Sequence, residues 1–156
     1  MKMAVALVVT TMLCIPAQAG TKIDDPVKFI EGVYKGLATN SQTMAPEDIY
    51  TPRLAALIDL DIKEANGEVG RGNDFSFWCN CQDGDVKKPV VSGRDVENAK
   101  SRKVVDVKFE LDGDKREAIF YFEQLKDGWK LDDVRFAGKD GWTYSLILKY
   151  GWDDRK

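Results

Sequence analysis

The residues best suited to chemistry are two adjacent carboxylates, Asp132 and Asp133, in an apolar-rich segment near the C-terminus. Adjacent residues of a β-strand point to opposite faces, so we expect one of the two to enter any cavity on the sheet. Loss of hydration beside aromatic rings favours the neutral acid, a pattern typical of acid–base residues in pockets. Asp106, on the polar face of an earlier segment, is expected nearby. The alternative is that these carboxylates only face solvent at an edge or cap a neighbouring loop.

Histidine is absent from the chain, which narrows the available chemistry. Its absence removes the usual general base, the Ser–His and Cys–His nucleophile pairs, and the commonest zinc ligand. The formal net charge is −3 with interspersed signs, which disfavours nucleic acid as a partner because phosphate binding needs a basic stripe. The sequence predicts no cofactor and no metal site.

Cys79 and Cys81 form a second candidate site. On a regular strand their Cα atoms would lie about 7 Å apart, at the edge of disulfide reach, so a bridge needs a bend, which Gln82-Asp83-Gly84 favours. An oxidising compartment favours that bridge. Reduced thiols, an intermolecular bridge and, as the weakest alternative, a metal site remain open. The spacing and context differ from the Cys-x-x-Cys of redox proteins.

Aromatic side chains form the third candidate set, because each is large enough to build a core or the wall of a ligand cavity. Most are expected in the core, and a minority is expected to line a cavity or anchor a protein interface. The set comprises Trp78, Phe120, Tyr121, Phe122, Trp129, Phe136, Trp142 and Tyr144. The predicted pocket combines Trp78, Tyr121 and Trp129 with Asp106, Asp132 and Asp133.

The N-terminal sequence predicts a cleavable secretory signal over residues 1–19. Lys2 precedes an apolar stretch at 3–15, and Ala17-Gln18-Ala19 is a small-x-small cleavage motif. The apolar stretch is shorter than the about 20 residues that span a membrane. A buried N-terminal helix is the alternative. Cleavage would leave a single domain, residues 20–156, in the periplasm or secreted, with a net charge of −4 because Lys2 is the only charge lost.

Two amphipathic helices are predicted after the signal. Asp24 or Asp25 caps a helix whose first turn holds Pro26. Thr51 before Pro52 repeats this start, and Asn66-Gly67 ends the second helix. The apolar stripes, at three- and four-residue steps, are Val27, Ile30, Val33, Tyr34 and Leu37 in the first helix, and Leu54, Leu57, Ile58 and Ile62 in the second.

The last third of the chain predicts antiparallel strands at 86–91, 103–111, 116–125 and 129–136, most of them separated by Asp-Gly turns. Pro89 places the first strand at an edge. The third is apolar on both faces, so we expect it to be central and covered on both sides. Residues 142–150 fit either a helix or a strand, and helix is favoured. This order predicts an α+β fold with N-terminal helices packed on an antiparallel sheet.

Four motifs carry a resemblance to a known family. They are Asp25-Pro26-Val27, Thr51-Pro52-Arg53-Leu54, the segment from Asn73-Asp74-Phe75 to Cys81-Gln82-Asp83, and Gly128-Trp129-Lys130-Leu131-Asp132-Asp133-Val134. Over most of residues 24–150 the chain resembles an exported bacterial family called domain of unknown function 3828. Its members are similar to nuclear transport factor 2-like, or cystatin-like, proteins, in which helices pack on a strongly curved sheet and leave a conical cavity. The resemblance implies this fold and an envelope location, without a settled activity.

These observations favour a non-enzymatic envelope protein that binds a small apolar ligand in the cone or a protein on an exposed sheet face. One protein-binding version is an immunity protein that neutralises a toxin delivered to the periplasm. The rival hypothesis is a small hydrolase or isomerase that uses an aspartate in the cavity. The sequence leaves the ligand, the partner and the oligomeric state open.

Overall fold

The computed structural model describes residues 22–39 and 47–154, and this part of the chain has an α+β architecture. The helices are α1 (Pro26–Ala38), α2 (Pro52–Ala65) and α3 (Tyr144–Tyr150), with a 3-10 turn at Glu47–Ile49. The strands are β1 (Val86–Val96), β2 (Ala99–Leu111), β3 (Asp114–Leu125), β4 (Gly128–Phe136) and β5 (Trp142–Thr143). They form one open antiparallel sheet in the order β1-β2-β3-β4-β5. The α+β class is therefore confirmed.

The predicted signal peptide, residues 1–19, and its cleavage site lie outside the described residues. Within the two described ranges, no helix combines the length and the apolar character needed to cross a membrane.

α1 begins where the sequence predicts, because Asp25 and Pro26 act together. Asp25 Oδ1 accepts a hydrogen bond from the backbone N–H of Val27 at 2.9 Å, and Pro26 occupies the first turn, where an N–H would have no helical partner. The predicted apolar stripe faces the sheet. Its buried members are Ile30, Val33 and Tyr34.

α2 also begins at its predicted cap, but its buried face differs from the predicted stripe. Thr51 Oγ1 accepts from the N–H of Leu54 at 3.2 Å, and the helix ends at Asn66 in the left-handed conformation. Ile62 is 52% exposed, whereas its neighbour Asp61 is 2% exposed. The expectation that Ile62 completes the stripe is wrong, because a carboxylate occupies the buried position at the end of the helix.

Asp61 organises the glycine-rich loop that follows α2. Its carboxylate accepts from the backbone N–H groups of Arg71 at 3.1 Å and Gly72 at 2.9 Å, and from Arg71 Nε at 2.9 Å. An ionised carboxylate tolerates burial when its lone pairs are satisfied in this way. Gly70 is required beside it, because a Cβ there would lie 2.5 Å from Asp61 Oδ2.

The sheet has two chemically different faces, which we call the helix face, toward α1, and the open face. On β2 the predicted alternation is observed: Val105, Val107, Phe109 and Leu111 are buried on the helix face, and Asp106, Lys108 and Glu110 lie on the open face. β3 is central, as predicted. Its open-face residues Ile119 and Tyr121 are only half-buried, so the expected cover on both faces is wrong.

β1 is the edge strand that Pro89 predicts, although it continues beyond the expected end to Val96. The pairing with β2 shifts register between Lys87 and Val90, around the proline. Proline cannot donate to a ladder, so a bulge on an edge strand is where it is tolerated.

Aromatic rings fill the space between α1 and the helix face. The hydroxyl of Tyr34 donates to the carbonyl of Trp78 at 2.5 Å, and burial raises the pKa of Tyr34 well above its ordinary value. The Trp78 ring stacks on Phe120 with centroids 5.5 Å apart, and Tyr34 meets Phe109 edge-on at 5.2 Å. Trp78 is therefore a core residue.

Residues 142–150 combine the two alternatives that the sequence left open. Trp142–Thr143 pair with β4 as a short strand, and Tyr144–Tyr150 form α3. The favoured helix is thus confirmed for the longer part of the segment. Its buried side chains Ile147 and Leu148 anchor it.

Gly93→Ala is predicted to lower the free energy of unfolding by about 1–3 kcal/mol, the usual effect of overpacking. A Cβ at position 93 of β1 would lie 2.5 Å from Cγ2 of Val27 in α1. The β-branched Val27 is stiff at χ1, so the helix itself must shift. Urea denaturation measures the change.

The matched control is Gly32→Ala in an exposed turn of α1, where a Cβ meets no atom within 4 Å. This substitution is expected to raise the free energy of unfolding by about 0.5–1 kcal/mol, because alanine is the better helix former. Equal effects of the two substitutions would contradict a close helix–strand contact at Gly93.

Candidate functional site

A cavity of about 750 Å³ lies on the open face of the sheet. Val104 and Tyr121 contribute its floor, and Phe136 and Trp142 close the end beside β5. Its charged lining consists of Arg94, Arg102, Lys103, Glu123, Asp132, Asp133 and Arg135. The resemblance implied a cavity beneath the helices; this cavity lies on the other side of the sheet, because aromatic rings occupy the space under α1.

The strand register places Tyr121 at the centre of the cavity floor. Its cross-strand neighbours are Val104 on β2 and Asp133 on β4. Arg102 and Arg135 lie two residues along β2 and β4 from these neighbours, and so they share the face of the tyrosine ring. Diagonal neighbours of this kind are about 7–8 Å apart, within reach of long side chains.

β4 carries a bulge at Asp132, which changes the direction of this carboxylate. The pairing of β3 with β4 skips one residue beside Tyr121, so Asp132 has no partner across the ladder. Both carboxylates therefore border the cavity and contact one cation. Arg53 Nε lies 3.1 Å from Asp132 Oδ1, and Arg53 Nη2 lies 3.5 Å from Asp133 Oδ2. The expectation that the two carboxylates face opposite sides of the sheet is wrong, because the extra residue interrupts the alternation.

Asp132 joins the start of α2 to β4. Its Oδ1 accepts from Thr51 Oγ1 at 2.8 Å and from Arg53 Nε at 3.1 Å, and Arg53 also donates to the Asp132 carbonyl. Partial burial works against the charge of Arg53, but its hydrogen bonds and ionic contacts with both carboxylates outweigh burial. The pKa of Arg53 consequently lies above its ordinary value.

Asp133 caps α3 from the neighbouring strand. Thr143, at the N-cap position, makes no side-chain capping bond. Asp133 Oδ1 accepts from the N–H groups of Ser145 at 3.0 Å and Val134 at 2.9 Å, and its Oδ2 accepts from the Ser145 hydroxyl at 2.5 Å. These bonds satisfy donors that the first turn of α3 and the strand leave open. The carboxylate is thus engaged in holding the fold.

The arginines of the cavity differ in their partners. Arg94 Nε donates to Asp106 Oδ2 at 2.9 Å. The side chains of Arg102 and Arg135 make no hydrogen bond or ion pair with any described residue, and Glu123, opposite Arg102 on β3, makes none either. Two unpaired cations therefore face one unpaired carboxylate, a local positive excess in a chain whose net charge is −3.

Four of the six predicted pocket residues lie on the open face. Tyr121, Asp132 and Asp133 line the cavity, and Asp106 holds Arg94 at its border.

Trp78 and Trp129 lie elsewhere. Trp78 belongs to the core, and Trp129 lies on the helix face. The backbone N–H of Trp129 donates to the carbonyl of Ile23 at 2.9 Å, and the Lys103 ammonium lies 6.0 Å from the centre of its ring. Neither tryptophan lines the open-face cavity, because each packs against the hydrophobic core.

Sequence reasoning missed the arginines of the cavity. The period-two pattern places Arg102 on the face of Asp106, and Arg135 follows Asp133 by two residues, so each strand alone contains the signal. The register between strands, which brings these side chains around Tyr121, was needed to recognise them as one group.

Cys79 and Cys81 are joined by a disulfide, the first of the alternatives that their spacing left open. Their Cα atoms lie 5.3 Å apart because Asn80 turns the chain, with φ 54° and its N–H donating to the Ser76 carbonyl. Asn80 Oδ1 accepts from Trp142 Nε1 at 2.9 Å, and Trp142 closes one end of the cavity. The disulfide turn therefore braces a cavity wall.

In the described ranges, no three His, Cys, Asp or Glu side chains are grouped to hold a metal ion.

Comparisons with family models, with curated proteins and with solved structures found no match to this chain.

Asp133→Ala is predicted to lower the free energy of unfolding by about 2–3 kcal/mol, because it removes an ionised acceptor and leaves its donors unpaired. Guanidinium denaturation measures the loss. Asp140→Ala, at an exposed loop position, is the control and is expected to change stability by less than about 0.5 kcal/mol. A loss at Asp133 no larger than at Asp140 would contradict its capping role.

Reduction of the Cys79–Cys81 bridge is predicted to lower the free energy of unfolding by about 1–2 kcal/mol. The loss is small because the bridge joins residues two apart and constrains the unfolded chain little. Denaturation with and without a phosphine reductant measures it. Two free thiols titrated in the denatured, unreduced protein would show that no such bridge exists.

Proposed function

We propose that this chain is an exported envelope protein that binds a small ligand in the open-face cavity and does not catalyse a reaction. The supporting observation is the cavity itself. Its volume of about 750 Å³ falls in the range of about 300–1,000 Å³ that small-molecule sites occupy. An apolar floor with a few convergent polar groups is also typical of such sites.

Export rests on the N-terminal sequence and fits the disulfide. Residues 1–19 have the composition of a cleavable signal. A disulfide persists in an oxidising compartment such as the periplasm or the medium, and it is rare in the cytosol.

A relationship to domain of unknown function 3828 and to the nuclear transport factor 2-like fold is part of the same proposal. The Asp25-Pro26 and Thr51-Pro52 motifs that carry the resemblance begin α1 and α2, and α1 packs on an antiparallel sheet, both of which support it. The open-face position of the cavity does not follow from the resemblance.

A small ligand is favoured over the alternatives of a protein partner or catalysis. A hydrolase or isomerase that uses Asp132 or Asp133 would need that carboxylate free to move a proton, whereas both already accept bonds, from Thr51, Arg53 and Ser145. A protein partner, such as a toxin held by an immunity protein, would need a broad exposed surface rather than a recessed floor. Binding of a small ligand in the cavity leaves the hydrogen bonds of Asp132 and Asp133 intact.

Native purification from the cell envelope, with the leader intact at synthesis, tests the proposal. Mass spectrometry is expected to show cleavage after Ala19 and a small molecule released on denaturation. Val104→Trp places a ring in the cavity floor and is expected to reduce the bound molecule by about tenfold or more, a loss of at least about 1.4 kcal/mol of binding free energy.

Val90→Trp is the matched control, because it makes the same substitution on the open face at a position that is 65% exposed and outside the cavity. It is expected to retain the ligand. A wild-type protein that carries no small molecule, or that keeps residues 1–19, would contradict the proposal.

A further inference from the structure

The donor groups around the centre of the cavity exceed the acceptors available to them. Arg102 and Arg135 have no side-chain partner among the described residues, and the hydroxyl of Tyr121 makes no hydrogen bond with them. Glu123 is the one lining carboxylate that is likewise unpaired in the described part of the chain. Both arginines are exposed, and a guanidinium group without a protein partner forms its strongest hydrogen bonds with an anionic acceptor, so this imbalance favours an anionic ligand.

The three donors are arranged around one ring. Arg102 is diagonal to Tyr121 on β2, and Arg135 is diagonal to it on β4 in the opposite direction. A ligand that lies on the tyrosine ring therefore meets a guanidinium group toward either end. Val104, which is 3% exposed beside the ring, extends the apolar part of the floor.

We infer that the ligand is an amphipathic anion, an inference that rests on the proposed binding function. Its apolar body lies on Tyr121 and Val104, and its carboxylate or phosphate group is held by Arg102 or Arg135. A carboxylate and a phosphate present the same oxygen acceptors to a guanidinium fork, so both belong to the predicted class.

Two fluorescent probes of nearly the same shape test the charge requirement. Anilinonaphthalene sulfonate is anionic, and phenylnaphthylamine is the neutral molecule without the sulfonate. The wild-type protein is expected to bind the anionic probe about tenfold more tightly, the effect of one charge-assisted hydrogen bond. Raising the ionic strength is expected to weaken the binding of the anionic probe and to leave the binding of the neutral probe unchanged.

Variants of the two arginines assign the preference to the cavity. The double substitution Arg102→Gln/Arg135→Gln is expected to bring the affinities for the anionic and the neutral probe to within about twofold of each other. Binding of the neutral probe is expected to be retained. Arg116→Gln removes one arginine charge from β3 outside the cavity and is expected to leave the ratio of the two affinities unchanged. Probe fluorescence that remains with the Val104→Trp variant comes from probe bound at exposed apolar residues such as Leu60 and Ile62. This background is subtracted from the fluorescence of every other variant.

Displacement of the anionic probe by decanoate, decyl phosphate and decanol completes the test. Displacement by either anion at concentrations where decanol has no effect supports the inference. The anion that displaces the probe at the lower concentration shows whether the site prefers a carboxylate or a phosphate. Equal binding of both probes in a cavity that Val104→Trp blocks would overturn the anion inference and leave the binding function standing. Binding of neither probe would overturn both.

Discussion

The alternation of side chains along β2 and β3 is the constraint on which the rest of the structure depends. Val105, Phe109 and Phe120 are buried under α1, and this burial fixes the register of the central strands. A slip of one residue would move the apolar set to the open face and bring Lys108 into the aromatic core. The cost of burying an unpaired cation excludes that arrangement. The helix face therefore determines which side chains share the cavity.

The two carboxylates at the bulge hold three elements together. Arg53 brings α2 to them, β4 carries them, and Ser145 begins α3 beside them. Hydrogen bonds to ionised groups contribute about 1.5–3 kcal/mol each, whereas an exposed ion pair contributes about 0–1 kcal/mol. An acid–base role would require Asp133 to release these donors in every turnover. The positions of Asp132 and Asp133 are therefore explained by the stability that their hydrogen bonds provide.

The sequence was sufficient where a local rule decides the structure. Asp25 and Thr51 predicted both helix starts, because a capped turn with proline is recognisable without its tertiary surroundings. The alternation of β2 and the edge position of β1 followed in the same way. Residues 142–150 stayed ambiguous because a seven-residue helix and a short strand leave similar apolar spacing.

Local rules failed where contacts between distant residues decide. Asp61 is buried because Arg71 and Gly72, ten and eleven residues later, satisfy its carboxylate. The bulge at Asp132 has no glycine or proline to indicate it, and it depends on Arg53 across the fold. The side of the sheet that holds the cavity depends on how completely the rings of Trp78 and Tyr34 fill the other side.

The net charge of the chain and the local charge of the cavity predict different ligands. The distance over which each charge acts decides between the two predictions. The chain is acidic overall, and this alone would suggest a cationic partner. Charges far from a ligand are screened over about 10 Å at ordinary ionic strength, whereas in the proposed complex Arg102 and Arg135 would contact the ligand at hydrogen-bonding distance. These cations lie on the open face because they alternate along the strands with the apolar residues of the helix face. The same period of two that buries the core therefore sets the chemistry of the cavity.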